Sequence, residues 1–402
     1  MAWRRTSSVM VLALALGCVS LGCGDDDRPL APMEFGEPDE PGPFPVGVTE
    51  VEIDDGQDDG RTLPVLIWYP AHPPRGAGAY EYVLSLEAAE LARLESPMGA
   101  VEAAPVDPRG PWPIVVFSHG NGGINAQSFY MTEWLASHGF IVAAPDHVGN
   151  TIIEEITDSG LSMTEAAFLR PTDASRALDA VFRESDDPGS LLADAADPAR
   201  VGISGHSFGG FTTFRVAGAT IDQALLEEEC AMGTAPDLCA ELDSIDFPAS
   251  QRDDRFIAAL PQAPGGAAVM MPGMGFEDVA IPTMVQAGDM DMTTPYIEES
   301  VEPYQQLTVE SSLMVLGDAG HFSFSDMCRL LEVIDPAFED LASDALEDGC
   351  GPDNLDWMRA QELINEYATD FFHTHVSMRE GFGDRLDPER AHPSEVVDFQ
   401  SK

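Results

Sequence analysis

Short apolar runs punctuate the chain, and most of them do not alternate with polar residues. Residues 112–117 (WPIVVF) end at Ser118-His119-Gly120, and residues 140–144 (FIVAA) end at Pro145-Asp146-His147. Segments 201–204, 256–260, 283–286 and 313–316 repeat the pattern. Strands that are apolar at consecutive positions are buried on both faces. Between or after them lie stretches of helical length at 127–138, 171–184, 210–216 and 354–376. Together these predict an α/β domain whose central sheet is mostly parallel, with helices on both faces. The start differs. Val46, Val48, Val51 and Ile53 alternate imperfectly, and residues 63–69 follow a turn cluster at 56–60. That predicts an antiparallel opening pair.

The ends break the pattern. Trp3-Arg4-Arg5 precedes an apolar run at 9–16, which is too short to span a bilayer, where about 20 apolar residues are needed. This is the shape of a secretory signal peptide over 1–22. Cys18 and Cys23 each follow Gly, as in the lipoprotein cleavage boxes of bacteria. Lipidation at Cys23 removes Cys18 and leaves Cys230, Cys239, Cys328 and Cys350, an even set. Cys23 is therefore preferred, with an unlipidated signal peptide as the alternative. The expectation is an exported cell-envelope lipoprotein held to the membrane by its anchor. Export permits disulfides, and four cysteines allow three connectivities. Cys230–Cys239 and Cys328–Cys350 close the shortest loops. Residues 23–45, rich in Asp, Glu, Pro and Gly, predict a flexible tether. The domain is expected over 46–380, with a C-terminal tail at 381–402. An acidic insertion at about 220–252 is expected over the sheet's carboxyl edge as a lid, with a long surface loop pinned by a disulfide as the alternative.

Charge narrows the function. Of 402 residues, 20 are Lys or Arg and 70 are Asp or Glu, for a formal charge of −50. Nucleic-acid binding needs a basic face to replace counterions, so it is excluded as a default. Apolar residues make up 44%, enough for a large core. The sole lysine is Lys402, which excludes phosphate-loop nucleotide binding, Schiff bases and lysine general bases. No CxxC or HExxH pattern occurs, so neither a metal nor a cofactor is expected.

One segment carries chemistry. Gly205-His206-Ser207-Phe208-Gly209 follows a strand run and opens a helix. A serine hydroxyl is a weak nucleophile and must stand exposed on a tight turn beside a base. His321, on the loop after the 313–316 run, is the candidate base. Asp291 in Asp289-Met290-Asp291-Met292-Thr293-Thr294 is the candidate orienting acid, with Asp289 the competing choice. The order Ser207, Asp291, His321 is that of α/β-hydrolases. The backbone N–H groups of Phe208 and Asn121, the latter in the glycine-rich loop after Phe117, are the candidate oxyanion donors.

These segments together resemble the α/β-hydrolase superfamily over nearly everything from Val46 to His375. The elbow GHSFGG is similar to that of platelet-activating-factor acetylhydrolases. The Ser118–Gly123 loop, the acid turn and the base turn GHFSF look more like dienelactone-hydrolase and cutinase-like polyesterase relatives. The resemblance implies a serine carboxylesterase with a Ser207-His321-Asp291 triad and an acyl-enzyme intermediate. Three departures restrict the substrate. Residues 259–264 hold no aspartate where the acetylhydrolases carry their acid. Asn121 and Gln262 stand where polyesterases carry aromatic residues. Ser207 replaces the cysteine of dienelactone hydrolases. An acidic surface disfavours anionic substrates, so short-chain or lipid-like neutral esters are expected, handled by a monomer. Two other readings are a non-catalytic hydrolase-like binding protein and, from the D-x-D-x-T spelling at 289–293, a phosphatase.

Overall fold

A computed structural model describes residues 33–54, 61–86, 89–232, 248–266, 274–334 and 343–402. The apolar runs become strands. In chain order they are β1 (Val46–Asp54), β2 (Thr62–Pro70), β3 (Glu81–Leu86), β4 (Ala89–Glu95), β5 (Val101–Glu102), β6 (Trp112–Ser118), β7 (Ile141–Pro145), β8 (Ala196–His206), β9 (Thr220–Ile221), β10 (Ala258–Gln262), β11 (Met274–Gly275), β12 (Thr283–Gly288), β13 (Ser311–Leu316) and β14 (Val396–Ser401). Ten of them form one sheet in the order β14-β13-β12-β10-β8-β6-β7-β2-β1-β5. The stretch from β13 to β7 is parallel throughout. The expected opening pair is there as well: β1 lies antiparallel to β2, with Val48 opposite Trp68.

The helices used below are α1 (Phe129–Ser137), α2 (Ile152–Thr157), α3 (Met163–Asp186), α4 (Phe208–Ala217) and α5 (Gln223–Met232). Neighbouring residues of β6 explain why its apolar run does not alternate. Ile114 and Val116 pack with Phe168, Leu178 and Phe211 from α3 and α4. Val115 and Phe117 pack with Tyr130 and Leu135 of α1 and with Ile364 of the helix Trp357–His375. Each face of the sheet is thus closed by its own helical layer.

Four expectations need correction. Helix α3 starts at Met163, not at Pro171, because a capping box sets its start. The Ser162 hydroxyl accepts the Glu165 N–H at 3.1 Å, and the Glu165 carboxylate accepts the Ser162 N–H at 3.0 Å. Such boxes satisfy two orphan donors at once. The ordered chain begins before Val46: Phe44 is buried, and the Gly42 N–H donates to Ser137 Oγ at 3.0 Å. The C-terminal residues are not a tail, because β14 pairs with β13, Phe399 lying opposite Met314.

The fourth correction moves the insertion. Helix α4 leaves the carboxyl edge at Ser207 and ends at Gly218. The segment after it therefore starts at the opposite edge, where the Ile257 N–H donates to Val201 O at 2.8 Å as the chain re-enters the sheet. The described ends of the segment meet each other, the Ile221 N–H donating to Ala249 O at 3.0 Å, and none of its described residues joins Ser207 in the cavity at the carboxyl edge. There, β3 and β4 form a separate antiparallel hairpin that the sequence did not suggest.

The Cys328–Cys350 disulfide is formed. Cys230 is disulfide-bonded too, while Cys239, Cys18 and Cys23 lie outside the described residues. Among the described residues no helix is long and apolar enough to cross a membrane.

Candidate active site

The turn from β8 into α4 places Ser207 at φ 58° and ψ −120°. A non-glycine residue held there costs on the order of 1–3 kcal/mol and persists only where its surroundings fix it. They do so here. The Ser207 N–H donates to Gln262 O at 3.0 Å, and Ser207 O accepts N–H groups from Gly210 and Gly265 at 2.8 and 3.1 Å. A Cβ at Gly205 would collide with the Gly209 carbonyl, and one at Gly209 with the Ser118 carbonyl. Both glycines are therefore required by close backbone approach.

His321 opens a short 3-10 turn after β13. Its Nδ1–H donates to Asp291 Oδ2 at 2.8 Å, and both side chains are buried. The acid is fixed in turn by Thr294, whose N–H donates to Asp291 Oδ1 at 2.6 Å and whose hydroxyl donates to Oδ2 at 2.8 Å. Asp289 is engaged elsewhere: its Oδ1 accepts the Asp318 N–H at 2.7 Å, which closes the turn between two strand ends. Ser207 and His321 line one cavity of about 420 Å³, together with Asn121 and Gln127. That volume falls in the range of small-molecule sites, about 300–1,000 Å³.

The cavity walls are apolar. Tyr82, Leu84, Leu91 and Leu94 come from the hairpin, and Met327 and Leu330 from the segment after the base. The hairpin is held by Tyr82. Its ring stacks on Phe129 at 4.2 Å, and its hydroxyl accepts from Trp68 Nε1–H at 2.7 Å and donates to Glu133 Oε1 at 2.5 Å. The described parts of the 220–252 insertion contribute nothing to this lining.

Three further groups surround the site, of which sequence reasoning missed Asp348 and Arg170. Asp348 Oδ1 accepts the backbone N–H of His321 at 2.8 Å, and Oδ2 accepts the N–H and hydroxyl of Thr293 at 2.9 and 2.7 Å. One carboxylate thereby ties His321 to the turn that carries Asp291. Nothing periodic marks Asp348; its nearness to Cys350 was the only available signal. His206 lies against the His321 ring, 4.5 Å between centroids. It donates Nε2–H to His321 O at 3.0 Å and accepts from Gln127 Nε2 at 2.8 Å, while Gln127 Oε1 accepts the Gly120 N–H at 2.8 Å. Burial, with His321 beside it, pushes the His206 pKa well below the ordinary histidine range, so it is neutral. Arg170 is the third. It is a charged residue in an alanine-rich helix face, a visible anomaly in the sequence, and it lies buried behind the Ser118–Gly123 loop.

Known proteins agree with the fold. Residues 77–158, which hold the hairpin, β6, the glycine-rich loop, α1 and β7, match the family of platelet-activating factor acetylhydrolase, isoform II. Over 211 residues, 52% of the chain, it is 24% identical to cutinase est1 of Thermobifida alba, covering 53% of that protein. It is 25% identical to cutinase 2 of Thermobifida cellulosilytica over the same share of the chain and 60% of that protein. The chain thus spans little more than half the length of these curated relatives. A ferulic acid esterase from Streptomyces cinnamoneus superposes with a TM-score of 0.62 at 21% identity, covering 92% of this chain and 99% of that one. With this sheet order, this strand–elbow–helix turn and that structural likeness, the chain has the α/β-hydrolase fold, and the proteins it is similar to are named cutinases and a ferulic acid esterase.

Proposed function

We propose that the protein is a carboxylic ester hydrolase that works through an acyl-enzyme on Ser207. Ser207 Oγ attacks the ester carbonyl carbon as its proton passes to His321 Nε2. Asp291 holds the Nδ1–H side of the ring and stabilises the imidazolium. The carbonyl oxygen becomes an oxyanion facing the N–H groups of Phe208 and Asn121. Collapse expels the alcohol, which takes the proton from His321. Water, activated by the same imidazole, then releases the acid and restores Ser207. The observation that carries this reading is the buried His321–Asp291 hydrogen bond of 2.8 Å on the cavity that also holds the strained Ser207. The named activities of the cutinase and ferulic acid esterase relatives support the same reaction class.

The substrate follows from the cavity. Its apolar walls and the chain's charge of −50 favour a neutral ester with an apolar acyl or alcohol half, short-chain or lipid-like. For the setting, we propose export as a lipoprotein anchored through Cys23, which palmitate labelling of the full chain and of Cys23→Ala would test. For the reaction, Ser207→Ala should abolish hydrolysis of p-nitrophenyl acetate in a folded protein. Asp291→Asn should lose far more activity than Asp289→Asn. Activity persisting in Ser207→Ala would overturn the reading.

A further inference from the structure

Arg170 is wholly buried, yet its five hydrogen bonds all go to neutral oxygens. Nη1 donates to Gly120 O at 3.3 Å and to Asn150 Oδ1 at 2.5 Å. Nη2 donates to the carbonyl of His119 and to Ser118 Oγ at 3.3 Å, and Nε donates to Thr212 Oγ1 at 3.4 Å. The guanidinium also lies over the ring of Phe208, 4.6 Å from its centroid. A buried cation is expensive, and an apolar residue of similar size would glue α3 to the sheet at no such cost. What an apolar residue could not do is orient peptides.

The oriented peptide is the one that matters. The carbonyl of Gly120 and the N–H of Asn121 belong to a single planar trans amide, so they point in opposite directions. Gly120 O accepts from Arg170 Nη1, from His119 Nδ1–H at 2.7 Å and from the Gly123 N–H at 3.2 Å. Holding that oxygen on the far side aims the Asn121 N–H at the cavity. Polarising the carbonyl also strengthens the N–H as a donor, as chained hydrogen bonds do. Asn121 is fixed a second time, because its Oδ1 accepts from Asn150 Nδ2 at 2.7 Å and Asn150 Oδ1 in turn accepts from Arg170. The other face of the guanidinium meets the side chain of Phe208, whose N–H is the second donor. The cation therefore stands behind both donors and reaches no reacting atom.

His119 and His147 complete the support without competing for charge. His147 donates Nδ1–H to Asp173 Oδ2 at 2.9 Å and accepts the Ser118 hydroxyl at Nε2 at 2.8 Å, and its backbone N–H donates to His119 Nε2 at 3.0 Å. Burial keeps both imidazoles neutral. Asp173, within a turn of Arg170 on α3, supplies a nearby negative charge and pairs with Arg61 at 2.6 Å.

We propose that Arg170 is a positioning residue for the oxyanion hole, setting and polarising the Gly120–Asn121 peptide and bracing Phe208. The proposal rests on the site reading above. The test uses the full chain and the variants Arg170→Met and Arg170→Lys. It measures melting temperature, kcat and KM for p-nitrophenyl butyrate, and the inhibition constant of an alkyl trifluoromethyl ketone. That ketone forms an oxyanion on the serine and so reports the hole itself. In Arg170→Met, kcat should fall by about 10²-fold, the loss typical of a missing oxyanion donor. KM should stay nearly unchanged, and ketone affinity should fall in proportion to kcat. Arg170→Lys, which keeps the charge but loses the fork, should recover part of both. If Arg170→Met does not fold, Arg170→Lys carries the same test. Ketone affinity that holds while kcat falls, or a kcat loss matched by the unfolded fraction, would overturn the positioning role. Ser207→Ala in the same panel separates the two readings. No turnover there with unchanged kcat in the Arg170 variants overturns this inference alone, whereas turnover retained in Ser207→Ala overturns the site assignment beneath it.

Discussion

The carboxylate of Asp348 accepts the backbone N–H of His321 at 2.8 Å, and its other oxygen accepts the N–H of Thr293 at 2.9 Å. It thereby ties His321 to the turn that carries Asp291, two loops that follow different strands. A hydrogen bond to a charged partner contributes about 1.5–3 kcal/mol, and a factor of ten in rate corresponds to about 1.4 kcal/mol. Asp348→Asn should therefore lower kcat by about 10- to 100-fold with a smaller effect on KM. Steady-state kinetics with a p-nitrophenyl ester, read beside a melting curve, checks this.

Asp348 is held in place by a covalent staple two residues on. Cys328–Cys350 links residues 22 apart, and closing a loop of that size stabilises by about 3 kcal/mol in the chain-entropy picture. The double variant Cys328→Ser/Cys350→Ser should melt at a lower temperature. It should also lose kcat while still folded, because the Asp348 clamp loosens. A lower melting temperature with unchanged kcat would show the staple to be structural alone.

The hairpin wall predicts a specificity change. Leu84 lines the cavity from β3, and one methylene of fit in an apolar pocket is worth about 1–3 kcal/mol. Leu84→Trp should reduce kcat/KM for p-nitrophenyl octanoate by about tenfold or more relative to acetate. An ester chain-length panel on wild type and variant reads the ratio directly.

Acid stability should carry the signature of Asp326. Burial raises its pKa to about 7, although Arg329 Nε donates to it at 3.0 Å and the Tyr130 N–H at 2.8 Å. A carboxyl whose folded pKa lies above its unfolded value binds its proton more tightly when folded. Its contribution is full below the unfolded pKa and is lost as pH rises through about 7. Melting temperature should thus fall for wild type relative to Asp326→Asn between about pH 4 and pH 7. Parallel curves would contradict the assignment.

Much of the fold was legible because its strands are buried on both faces. Runs such as residues 112–117 supply side chains to two helical layers, and that leaves a pattern no surface strand has. The elbow was legible because Gly205 and Gly209 are demanded by backbone contact and sit beside a serine. The hairpin was not, because β3 and β4 carry charged residues such as Glu81, Glu90 and Arg93 on their outer face and so lack the continuous apolar run of the sheet strands. The ends of the insertion were misplaced because α4, running back along the sheet from Ser207 to Gly218, carries the chain to the opposite edge before residue 220. Asp348 and Arg170 were missed for a shared reason. Their importance lies in which distant backbone groups their side chains reach, and neither residue type announces which backbone groups those are. The acidity was legible from the start, and it carries one further expectation: melting temperature should rise as ionic strength goes from about 0.01 M to 1 M, where screening shortens from about 30 Å to 3 Å.

The central claim, that Ser207 is the nucleophile driven by His321, is tested most directly by covalent labelling. The full chain is treated with a p-nitrophenyl alkylphosphonate and the adduct is located by peptide mass spectrometry. A single adduct on Ser207 is expected, formed with loss of p-nitrophenol, absent in Ser207→Ala and greatly slowed in His321→Ala. A stable adduct on another residue, or full esterase activity in the labelled protein, would contradict it.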